Sequence, residues 1–297
     1  MWLPNIPAVR SSRLANPGRR RLNLAARTKS ALRIFGALAI SACAVLTASA
    51  ADTPRQQVIK IVVQIQRADY EGDRAGLKRL NGELTPFVED KELASRVRYW
   101  RGFALWRRAI NGFNENYDPK EQEQDLMQAV DEFSKSSASD PAFVDAKVGA
   151  VSCFSNLLYL NQKNAARVQE LVAQASPLVK EAKEADPENP RLLWVLAPNL
   201  WRTPAERGGG QDKAIEAEEK GLAAARKRKS LARDPLDPSW GEPELLMSLA
   251  WSNLNKTKPD LDAAEKYARS ALELVPYWHY VRDILMQQIR DAQAKKS

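Results

Sequence analysis

Histidine and cysteine are almost missing: the 297 residues hold one His and two Cys. A single imidazole, His279, with no Cys pair beside it cannot furnish the ligand set of a zinc site, so no metal ligand is expected. Cys43 falls in an N-terminal leader, which leaves Cys153 without a partner and excludes a disulfide framework. Within VGAVSCFSNLLYL, Cys153 is expected to be a small buried hydrophobe rather than a reactive thiol. Sustained apolar alternation is also missing, which argues against strands. No nucleophile motif occurs, and no catalytic or cofactor-binding residue is assigned.

Acidic residues are missing from one region only. Residues 1–50 carry eight Lys or Arg and no Asp or Glu. Arg27, Lys29 and Arg33 precede IFGALAISACAVLTASA, a run that reads as a secretory signal with cleavage between Ala50 and Ala51. Ile40-Ser41-Ala42-Cys43 offers an alternative, lipidation at Cys43, which would anchor the protein to a membrane. A periplasmic or secreted location is therefore expected. Without the leader the 45 basic and 37 acidic residues become 37 of each, so the apparent basicity belongs to targeting. Nucleic-acid binding is not expected, because the one dense basic cluster, Arg226 to Lys229, suits the solvated end of a helix.

Helix formers dominate residues 51–297, with Gly and Pro between periodic runs, and an all-α chain is expected. The first pair of helices is Thr53–Ala68, with Val58, Ile61, Val62 and Ile65 on one face, and Asp73–Leu84. Next come 91–112 with 121–137, 142–160 with 164–185, 189–201 with 212–229, and 242–255 with 260–275. A last helix, 277–294, is expected to cover the end through Val281, Leu285 and Ile289.

Asp260 to Pro276 sets the pattern. Ala264, Ala268 and Ala271 share a face, and Pro276 closes the helix. The same spacing recurs as Ala129, Phe133, Ser136, Pro141 and as Ala175, Val179, Ala182, Pro187. It resembles the second helix of the tetratricopeptide repeat (TPR) family. Gly102 and Ala104 in RYWRGFALW, Ala197 in LLWVLAP and Ala250 in LMSLAW resemble the small residue of the family's first helix. The prolines at 141, 187, 235 and 276 lie 46, 48 and 41 residues apart, longer than the family's period of about 34. The resemblance implies a right-handed α-solenoid of antiparallel helix pairs. Residues 51–94 would form an N-terminal helical cap, 95–276 the repeats and 277–297 a C-terminal capping helix.

Such a scaffold implies no activity by itself, and a non-enzymatic protein is expected. Two functions fit: an adaptor for a protein or peptide partner, or a small-molecule carrier or accessory protein beside a transporter. Tryptophan is the strongest clue to a site. Trp106, Trp194, Trp201 and Trp251 fall on first helices, which line the concave side of such a solenoid, and Trp240 falls in a proline-flanked loop. All five are candidates for partner or ligand binding. Gly208 to Gly210 are expected to make a turn rather than an anion site, since no strand precedes them and no G-K-[ST] follows. His279 and Asp283 share a helix face. Glu218 and Glu219 are expected to be solvated.

Overall fold

Among the described residues, six helices begin on a side chain that accepts a hydrogen bond from the first-turn backbone: Thr53, Asp73, Asp118, Asn164, Asn189 and Asp260. Proline follows the cap directly at residues 54, 119 and 190, where its missing N–H costs nothing. The structure is a computed structural model that describes residues 52–113, 115, 117–229 and 234–296. Ala50, Ala51 and Cys43 lie outside the described residues, as does the leader.

The helices are α1 (Pro54–Glu71), α2 (Arg74–Glu83), α3 (Ala94–Phe113), α4 (Pro119–Ser139), α5 (Val144–Leu160) and α6 (Ala165–Ala185). After them come α7 (Pro190–Arg202), α8 (Gln211–Lys229), α9 (Glu242–Asn255), α10 (Leu261–Leu274) and α11 (Met286–Lys296). No strand occurs among the described residues, and each predicted boundary falls within three residues of the observed one. The last predicted helix differs inside. It opens with a π-helical stretch, Tyr280–Leu285, that runs into α11. Among the described residues no helix is long and apolar enough to cross a membrane.

Nearly every helix packs on its neighbour in sequence, and the odd-numbered helices α1, α3, α5, α7 and α9 also touch one another in order. These odd helices form an inner layer. Small residues make the approach possible: a Cβ on Gly149 of α5 would stand 2.5 Å from the Phe133 ring of α4. Ala129, Phe133, Ser136, Ala182, Ala264, Ala268 and Ala271, the small-residue face read from the sequence, are buried. So are Val281, Leu285 and Ile289 beneath the last helix.

A loop, 234–241, crosses the inner layer and stitches distant helices together. The Leu236 carbonyl accepts from Trp100 Nε1 at 2.8 Å, and Trp240 Nε1 donates to the Tyr99 hydroxyl at 2.8 Å. Arg191 of α7 donates to the carbonyls of Pro238 and Trp240. At the far end, Tyr70 of α1 meets Trp278 edge to face at 4.9 Å and donates to Glu244 of α9 at 2.8 Å. Thus α1 is in direct contact with the last part of the chain.

The Gly208–Gly210 segment is a tight turn, as expected. Gly208 and Gly210 have positive φ, and a Cβ on Gly209 would collide with the Thr203 carbonyl at 2.2 Å. Cys153 is buried, and burial pushes its thiol well up. One expectation needs correction. Glu218 is not solvated: the α8 stripe that carries Ala214, Gly221 and Leu222 turns it inward onto α9, where Ser252 donates to it. The basic cluster lies at the exposed end of α8, as expected, and its charges are paired there. Arg228 forms a two-pronged pair with Asp186, and Arg226 and Lys229 hold Glu242.

Candidate functional site

The inner layer lines a cleft that opens to solvent and has a cavity volume of about 90 Å3. α3 contributes Trp106, Arg107, Ile110 and Asn111, and α5 contributes Ser152, Ser155 and Asn156. Trp194, Val195 and Pro198 of α7, Met247 of α9, and Trp278 and Tyr280 beyond α10 complete most of the wall. Helical spacing explains the grouping. Trp106 and Ile110 lie four apart on α3, as do Ser152 and Asn156 on α5, so each helix turns one stripe inward.

Three indoles meet in the wall. Trp106 lies 6.1 Å from Trp194 and 5.5 Å from Trp240, and Trp194 lies 5.7 Å from Trp240. Each ring meets the others at a steep angle, the arrangement that the aromatic quadrupole favours. Two of the three N–H groups are satisfied: Trp194 donates to Ser248 Oγ at 2.7 Å and Trp240 to Tyr99. The third is not. Trp106 Nε1 is buried with no hydrogen-bond partner among the described residues, a condition that costs about 1–3 kcal/mol.

Behind this wall lies a buried ionic cluster. Arg107, 5% exposed, donates its Nε to Asp69 Oδ1 at 2.7 Å and makes no other hydrogen bond among the described residues. Glu244 accepts from Tyr70 and from the Gly241 backbone N–H at 2.7 Å. Burial raises the Asp69 and Glu244 carboxyls, while the Arg107 charge pulls both back down. Asp69 Oδ2 also lacks a partner. Burial raises the Tyr280 phenol.

Of the five candidate tryptophans, Trp106 and Trp194 line the cleft, and Trp240 packs against both. Trp201 and Trp251 form a separate pair with ring centroids 5.2 Å apart. His279 does face Asp283, Nδ1 to Oδ2 at 2.8 Å, but both side chains are 41% exposed. Arg282 also grips that carboxylate and, with His279, lowers it to about 2. Among the described residues no group of three His, Cys, Asp or Glu could hold a metal ion.

Sequence reasoning missed Asp69, Arg107, Asn111, Met247, Trp278 and Tyr280. A signal for the first two existed. Asp69 continues the apolar series Val58, Val62, Ile65 at helical spacing, and Arg107 continues Trp100 and Phe103, so both are charged residues on inward stripes.

No protein-family model matches the chain, and no curated protein matches it in sequence. A solved structure is similar in fold: the HusA haemophore from Porphyromonas gingivalis, with a TM-score of 0.52. The match covers 68% of this chain and 95% of that one at 21% identity, and at that identity it speaks for the fold alone.

Proposed function

We propose that this protein is a non-enzymatic carrier of a flat, largely apolar small molecule held in the cleft between α3, α5, α7, α9 and the Tyr280 segment. The observation that carries this reading is the aromatic wall of Trp106, Trp194, Trp278 and Tyr280 around a cleft that opens to solvent. A π-helical stretch at the cleft, beginning on a lining residue, adds support, since such insertions are frequent at functional sites. Haem is the first compound to try, because the structure of similar fold is that of a haemophore. The Met247 thioether and the Tyr280 phenol are the cleft side chains whose chemistry suits an iron centre, and His279 stands outside the lining.

A peptide-binding scaffold draws less support. It needs an open groove, and here loop 234–241 lies across the inner helices with four of the five candidate indoles under 9% exposed. In this reading the helix pairs are TPR-like units of an exported protein.

Titration of the protein with haemin and with metal-free protoporphyrin IX, followed by tryptophan fluorescence, tests the proposal. Saturable quenching at one equivalent, with Kd at or below about 10 μM, is the expected result. Trp194→Ala is expected to weaken it about tenfold or more, the scale for a buried aromatic contact. Non-saturating quenching, equal in Trp194→Ala and wild type, would sink the carrier reading.

A further inference from the structure

Two donors at the cleft wall, on Trp106 and Arg107, have no acceptor among the described residues. Ser152 and Ser155 spend their hydroxyl protons on the Val148 and Val151 carbonyls, and Asn156 donates back to the Ser152 carbonyl. Trp106 Nε1–H, by contrast, donates to nothing, and Arg107 leaves the far end of its guanidinium without a hydrogen bond among the described residues. The two side chains are adjacent, with the Arg107 guanidinium carbon 5.2 Å from the Trp106 ring. A buried indole N–H ordinarily has a partner, as Trp194 and Trp240 do here.

Resting on the carrier reading, we propose that the ligand bears a hydrogen-bond acceptor, a neutral carbonyl oxygen, at one end of its flat apolar body. That oxygen docks against Trp106 Nε1–H and the free end of Arg107. Asp69 pairs with Arg107 and Glu244 lies within its field, so no net positive charge is left to hold an anion, and a neutral carbonyl is the acceptor that fits. The apolar body then lies along Trp194, Met247 and Tyr280. Orientation follows from this, since a molecule with one polar end has one way to enter.

Two ligands of nearly the same shape separate the possibilities: 1-acetylpyrene, which has the oxygen, and 1-ethylpyrene, which lacks it. Binding to the full protein is read from pyrene fluorescence. Acetylpyrene is expected to bind about tenfold tighter, the scale of one well-made hydrogen bond in a buried site. In Trp106→Phe, which keeps an aromatic ring and loses the donor, the preference is expected to fall to about twofold or less. A second readout does not depend on that variant: the indole N–H proton of Trp106 should move downfield in the NMR spectrum of wild type on adding acetylpyrene. Equal affinities in wild type, or an unmoved indole proton, overturn the acceptor end and leave the carrier reading intact. Failure of both pyrenes to bind also overturns the acceptor end, and the carrier reading then stands or falls with the haemin titration.

Discussion

Glu218 sits fully buried in α8, with one carboxyl oxygen taking a hydrogen bond from Ser252 and the other taking none. Burial pushes its pKa up from 4.5 to about 8. The folded chain therefore holds this proton at pH values where the unfolded chain has lost it. The resulting stabilisation is complete below about pH 4.5, shrinks as pH rises and is gone once pH passes about 8. Glu218→Gln keeps the shape and an acceptor for Ser252 but never ionises. At pH 8.5 the variant should be more stable than wild type by on the order of 2 kcal/mol, and at pH 5 about equal, as urea unfolding midpoints will report. An unchanged difference between the two pH values would mean that the carboxylate ionises in place without penalty. Asp69 and Glu244 are raised in the same direction, so the comparison of variant with wild type, and not the wild-type profile alone, isolates Glu218.

Among the helices, α4 and α5 approach closely at Gly149. Gly149 leaves room for the Phe133 ring, which also lies against Gly102 of α3. Gly149→Ala puts a methyl group where the ring stands and should cost about 1–3 kcal/mol, against the small gain in helix propensity that alanine brings. Pairing it with Phe133→Leu should recover much of that loss, and a double-mutant cycle by thermal unfolding checks the coupling. This contact also shows what the sequence made legible. Ala129, Phe133 and Ser136 announced an inward face through their spacing, and Pro141 announced its end, because period and breaker residues act within a few turns of one helix. The Trp106 and Trp194 positions were legible on the same ground. Trp278 and Tyr280 were not, because their place at the cleft depends on the chain returning to α1 from the far end of the sequence. Nor was the inward turn of Glu218, since a lone acid on a stripe of Ala and Gly looks the same whether or not a partner helix covers it.

At the scale of the whole molecule, loop 234–241 decides how the parts hold together. Trp240 touches Phe103, Trp106 and Trp194 and bonds to Tyr99, so it ties α3 to α7 from a segment that belongs to neither. Trp240→Ala should cost about 3–5 kcal/mol, as for other buried tryptophans. A residue in a passive linker would cost within about 0.5 kcal/mol. Chemical denaturation should still show one transition, since the loop couples the two halves instead of joining them loosely. The Trp100–Leu236 and Tyr99–Trp240 hydrogen bonds span 136 and 141 residues of chain. During synthesis, α3 therefore leaves the ribosome long before the segment that will cover its aromatic face. Until residue 240 has been translated, the part of the Tyr99, Trp100 and Trp106 surface that the loop covers stays open to water, and the nascent chain presents a sticky patch that repeat-by-repeat folding cannot hide.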